Sequence, residues 1–106
     1  MDFRGVNQGV SVNLCVLLWA PPERQAQPIA YENEVLTLLE RHGGELLQRL
    51  RTDGANGAPL EIHGIRFSSD EAYESYLNDE RRVSLQPIRD DTIARTEVHR
   101  VRVIAH

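Results

Sequence analysis

Three residues have side chains that could work together chemically: Asn13, Arg49 and His63. An imidazole titrates near neutrality and can take up or release a proton. A guanidinium is a planar fork that grips carboxylate or carbonyl oxygens, and a side-chain amide both donates and accepts. Together they would suit a small anionic or carbonyl-bearing ligand, with His63 the candidate for proton transfer. The competing readings are a hydrogen-bonded structural histidine and a polar network inside an interface.

Other chemistries find little support. The histidines at 42, 63, 99 and 106 and the single Cys15 lack the spacing of a zinc site. Cys15, beside Val16 and Leu17, reads as a small hydrophobe and not as a low-pKa nucleophile. All twelve basic residues are arginine, a usage that suits a GC-rich bacterial genome. Without lysine there can be no Schiff base, no covalent pyridoxal phosphate link and no P-loop. No metal and no cofactor is expected.

The elements that must position these groups begin with Val12 to Trp19, a strand with apolar residues at every even position. Alternate residues of a strand face opposite sides, so Val12, Leu14, Val16 and Leu18 are expected against a dry helix layer. Pro21 and Pro22 end that strand. Residues from about Pro28 to His42 carry Ile29, Val35, Leu36, Leu38 and Leu39 at helical spacing, and Gly43-Gly44 stops the helix. Glu45 to Arg51 reads as a second strand, turned by Asp53-Gly54-Ala55-Asn56-Gly57 into a third at Leu60 to Phe67.

Ser68 and Ser69 cap a helix that begins at Asp70, with Ser68 three residues before Glu71 as in a capping box. Asp70 and Glu71 sit at the positive end of its dipole. Residues 80 to 91 form a second helical piece that Pro87 should distort or end. Arg95 to Ile104 alternates as a fourth strand of undetermined facing, so His99, Arg100 and Arg102 have no assigned side. Arg100 and Arg102 suit a sheet edge. His42 and the pair Asp79-Glu80 are expected in solvent.

The resulting order, β-α-β-β-α-β, gives an α+β, ferredoxin-like fold: a four-stranded antiparallel sheet with its helices on one face. The chain of 106 residues is expected to be one domain, with residues 1–10 a loose leader. If Leu60, Ile62 and Gly64 face the helices as the even residues of the first strand do, then Asn13, Arg49 and His63 share the opposite side. Leu17, Trp19, Leu47, Ile65 and Phe67 would lie there too, too apolar for water. A homodimer through that face is the expected partner arrangement.

The run HGIRFSSDEAYESYLNDERRVSLQPIRDD resembles the strand-to-helix core of the dimeric α/β-barrel superfamily, most nearly the family called domain of unknown function 1330. The matching positions are Phe67, Ser69, Glu71, Ala72, Tyr73, Tyr76, Leu85, Pro87, Ile88 and Arg89, with Arg41 to Leu47 similar to that family's helix-to-strand junction. Arg66 departs from it, where an acidic residue is common. The resemblance implies a dimeric barrel whose relatives include monooxygenases, isomerases and haem enzymes that bind ligand inside each subunit.

A net charge of −4 and the lack of a Lys/Arg-Gly-Phe motif argue against nucleic acid. No apolar run reaches the length of a membrane span, and the first residues lack a signal-peptide layout, so the cytoplasm is the default location. Two functional readings stay open. One is an enzyme acting on a small organic molecule in the barrel cavity, by proton transfer or cofactor-free oxygenation. The other is a non-catalytic dimeric module that binds a ligand or a partner.

Overall fold

The computed structural model describes residues 11–104; the expected leader at residues 1–10 lies outside them. Strand β1 (Val12–Trp19) is followed by helix α1 (Ala26–Val35), and two short 3-10 turns then carry the chain to Gly43. Strands β2 (Gly44–Arg51) and β3 (Glu61–Phe67) precede helices α2 (Asp70–Leu77), α3 (Glu80–Ser84) and α4 (Gln86–Thr92), and β4 (Arg95–Arg100) closes the fold. The sheet has the order β2-β3-β1-β4 with every neighbouring pair antiparallel, and the helices cover one face. This is the expected ferredoxin-like arrangement.

Local chemistry explains the boundaries. Gly43, at φ 71°, takes the left-handed conformation that lets the chain leave its last turn. Gly44 must be glycine because an added Cβ would stand 2.7 Å from the Phe67 ring. The cap of α2 is Ser69 and not Ser68: its hydroxyl accepts from the Ala72 N–H at 3.0 Å, so the expected box with Glu71 does not form. Asp79 caps α3 by accepting from the amides of Arg81 and Arg82. The helical piece expected over 80–91 breaks at Leu85 into α3 and α4, and Pro87 stands in the first turn of α4, where a residue needs no intrahelical N–H bond. The fourth strand stops at Arg100, short of the expected Ile104.

Register decides which residues meet the helices. In the β1–β3 ladder Val12 is opposite Phe67, Leu14 opposite Ile65, Val16 opposite His63 and Leu18 opposite Glu61. Directly paired residues share a face. The even face of β1 is therefore continuous with the odd face of β3, contrary to the expectation that Leu60, Ile62 and Gly64 line the helix side. Val12, Leu14, Ile65 and Phe67 join Tyr31, Val35, Leu38, Leu39, Tyr76 and Leu85 in one core. The Phe67 ring centroid is 5.2 Å from that of Tyr73 and 5.4 Å from that of Tyr76.

The opposite face is less apolar than expected, since Ile65 and Phe67 are not on it. Leu50, Ile62 and Leu17 pair in a row across it and run on to Glu97. Trp19 lies under the Arg95 guanidinium, 4.5 Å from its ring centre. In β4, Thr96, Val98 and Arg100 pair with Leu18, Val16 and Leu14 and so face the helices, whereas His99 pairs with Cys15 on the outer side. No helix among the described residues is long and apolar enough to cross a membrane.

Candidate functional site

A cavity of about 130 Å³ lies between the sheet and the helices. Its walls are mostly apolar and aromatic, with Leu14, Val16, Ile65, Phe67, Tyr73 and Tyr76 among them, and Glu32, His63, Arg82, Arg89 and Thr96 supply the polar groups.

The odd face of β3 carries Glu61, His63, Ile65 and Phe67, all buried. His63 is 1% exposed, and its Nε2 lies 2.8 Å from Glu61 Oε1. Glu61, equally buried, accepts two hydrogen bonds from Arg49, at 2.7 and 3.0 Å, and two from Arg51, at 3.0 and 2.7 Å. Arg49 also donates to Asn33 at 2.8 Å. Burial alone would raise the Glu61 carboxyl, but the hydrogen bonds from Arg49, His63 and Arg51 outweigh it and hold it at about 2.

Both arginines reach Glu61 because of one extra residue in β2. The pairing of β2 with β3 slips between Leu46 and Gln48, so that Arg49 comes opposite His63 and Arg51 opposite Glu61. Without the slip, both would have pointed to the outer face.

Burial pushes the His63 imidazole below its ordinary range, against the opposing pull of Glu61, so the ring is neutral at pH 7. An ionised carboxylate against Nε2 assigns the proton to that nitrogen, as a donor to Glu61. Nδ1 is left with its lone pair, 3.9 Å from Glu32 Oε1.

Glu32 belongs to the stripe Pro28, Tyr31, Glu32, Val35, the buried face of α1. Burial, and then the negative charge of Glu61, push its carboxyl up to about 7. Among the described residues it has no hydrogen-bond partner. A neutral imidazole and a carboxyl balanced near neutrality thus stand side by side on one cavity wall. Such a pair can accept and return a proton without leaving a charge stranded in an apolar space.

Of the three residues expected to act together, the structure joins only two. His63 and Arg49 meet through Glu61 on the helix side. Asn13 pairs with Arg66 and lies on the other face, beyond their reach, because the parity of β1 and β3 is opposite to that assumed. Arg49 is occupied by Glu61 and Asn33, so the arginines that line the cavity are Arg82 and Arg89. Sequence reasoning missed Glu32 and Glu61. Each was nevertheless visible as a carboxylate within an apolar pattern, Glu32 on a helical stripe and Glu61 two residues before His63.

A second polar cluster binds helix to turn. His42 Nε2 is 2.6 Å from Asp79 Oδ2, and His42 Nδ1 is 2.6 Å from Ser75 Oγ. His42 and Asp79 are therefore mostly buried, not solvated as expected. Their geometry is that of a clasp between α2, α3 and the turn before Gly43.

No protein-family model and no curated protein matches the chain. Solved structures do resemble it. A protein of unknown function from Rhodopseudomonas palustris superposes with a TM-score of 0.75 at 13% identity, covering 98% of this chain and 90% of that one. A DABB family protein with a ferredoxin-like fold from Mesorhizobium loti gives 0.67 at 11% identity, over 90% and 98%. A putative antibiotic biosynthesis monooxygenase from Bacteroides thetaiotaomicron gives 0.72 at 13% identity, over 90% of each chain. At these identities the likeness is one of fold.

Proposed function

We propose that this chain is an enzyme that moves a proton on a small carbonyl-bearing molecule held in the cavity between sheet and helices. The observation that carries the reading is the placement of His63 between Glu61 and Glu32, with Nε2 2.8 Å from Glu61 and Nδ1 3.9 Å from Glu32, and with His63 and Glu32 both on the cavity wall. His63 Nδ1 takes a proton from the carbon next to the substrate carbonyl. The ionised Glu61 steadies the imidazolium that forms, and protonated Glu32 gives its proton to the carbonyl oxygen. The product of this half-reaction is an enol with no net charge change in the cavity; an isomerisation is completed when His63 gives its proton to a different carbon of the enol and the enol hydroxyl returns its proton to Glu32. General acid–base help of this kind is worth about 10²–10⁴-fold in rate.

The same fold in the putative antibiotic biosynthesis monooxygenase keeps cofactor-free oxygenation as the neighbouring possibility. The resemblance of Phe67 to Arg89 to the domain of unknown function 1330 supports placing the chain near that family in the dimeric α/β-barrel superfamily. The outer sheet face, with Leu17, Ile62 and Leu50 in a row, supports a homodimer through that face. One cysteine and no disulfide suit a cytoplasmic setting.

Incubation with a metabolite mixture in D₂O, followed by native mass spectrometry, tests the enzyme reading. A retained compound that has gained deuterium, and fails to gain it with His63→Gln, is the expected result. A compound retained by the wild type with its hydrogens unexchanged would instead make the chain a non-catalytic binding module.

A further inference from the structure

We infer that the cavity is built for a small organic anion, with Arg82 and Arg89 as the residues that hold its negative group. The inference rests on the reading of this cavity as the ligand site and adds the class of molecule that enters.

Arg82 and Arg89 reach the cavity from α3 and α4. Arg89 is steadied by donating from Nη2 to Thr96 Oγ1 at 2.7 Å, and its Nη1 is 3.8 Å from the exposed Asp90. Arg82 lies over the Tyr76 ring, 5.0 Å from its centre, and donates from Nη1 to the Leu77 carbonyl at 3.3 Å. Its Nε is the one buried side-chain nitrogen or oxygen among the described residues that has no partner. A buried donor left unpaired costs free energy, and the side chain that carries it is one of those lining the cavity.

Charge points the same way. Among the lining residues two permanent cations face one carboxyl, Glu32, while His63 is neutral. Glu61 is not among the lining residues, and its carboxylate is bound by Arg49 and Arg51. The cavity therefore has a positive surplus enclosed by apolar walls, where a carboxylate or enolate is stabilised far better than a neutral ligand. Size narrows the class further. An apolar cavity of about 150 Å³ accepts benzene, so a space near 130 Å³ takes a single ring or a short branched chain. Phe67 and Tyr73 supply a flat surface for it.

Benzoate, its neutral isostere benzamide, and benzyl alcohol are suitable probes, read by calorimetry and ligand-observed NMR on the full chain. Benzoate should bind more tightly than either neutral probe by about tenfold or more, the scale of one charge-assisted hydrogen bond. Arg82→Gln and Arg89→Gln should each abolish most of that preference, and Arg82→Lys should keep part of it. Thermal melts check that each variant is folded. Equal binding of benzoate and benzamide, no binding of benzoate at millimolar concentration, or a preference untouched by both glutamine variants would overturn the inference.

His63→Gln separates this inference from the proposed reaction. Benzoate bound normally by that variant, with no deuterium exchange by the wild type on any retained compound, would leave the anion site standing and remove the enzyme. Exchange on a neutral compound together with no benzoate binding would do the reverse.

Discussion

Val16 and His63 stand directly opposite each other across the β1–β3 ladder. Val16 packs against the helix-side core, so its partner must point the same way, and the imidazole goes into the cavity between sheet and helices. Everything proposed for His63 follows from that pairing.

Glu32 should make stability depend on pH in a particular direction. Its carboxyl is raised in the folded chain to about 7 from an ordinary 4.5. The stability linked to it is therefore fully present below about pH 4.5 and is lost as pH rises through 7. Glu32→Gln, which imitates the protonated form, should stabilise the protein by about 2–4 kcal/mol at pH 8 and by little at pH 4. Denaturant melts at the two pH values measure this. An equal effect at both would mean that Glu32 is not held near neutrality.

His63 and Glu61 act in the opposite sense. Both are lowered in the folded state, so the stability they contribute is present at higher pH and is lost on acidification. For Glu61 the loss runs from about pH 4.5 down through 2. Glu61→Gln should cost about 3–5 kcal/mol at pH 7, because it leaves Arg49 and Arg51 beside a neutral group that cannot balance them. If chemical denaturation shows less than about 1 kcal/mol, the network is a surface decoration.

Gly44→Ala tests the packing of the core end of the sheet. The new Cβ would stand 2.7 Å from Phe67 Cε1 and 3.1 Å from the Leu39 carbonyl oxygen, and Phe67 is 1% exposed. A destabilisation of about 1–3 kcal/mol is expected from such overpacking. A melting temperature equal to the wild type's would show that Phe67 has room to move.

The proposed homodimer is open to a direct measurement. Light scattering should give about twice the chain mass of 12.1 kDa. Ile62→Lys, in the middle of the outer row of Leu50, Ile62 and Leu17, should shift it to one chain mass while leaving the fold intact. A wild-type monomer at micromolar concentration would rule out this use of the face.

The sequence by itself determined the element order, because each element announces itself locally. Even-position alternation marks β1, Gly43-Gly44 marks the break before β2, and Asp70-Glu71 marks the start of α2. It also singled out His63 and Arg49 as chemically capable. What it could not settle was which face of β3 joins which face of β1. Alternation is a property of one strand, whereas relative parity is a property of register, and a slip of one residue turns every side chain over. Loop lengths and the core at Phe67 fix that register, and neither acts within the strand itself.

Arg49 and Arg51 show the same division. Their facing depends on the one extra residue between Leu46 and Gln48, which leaves no clear mark in ELLQRLR. Glu32, which the sequence does not single out, and Asp79, which it places in solvent, differ for a related reason. Composition ranks carboxylates as surface groups, and only the packing of α1 against the sheet, or of His42 against α3, makes them buried and therefore chemically useful. Local propensity chose the elements, and long-range pairing chose which of their side chains share a cavity.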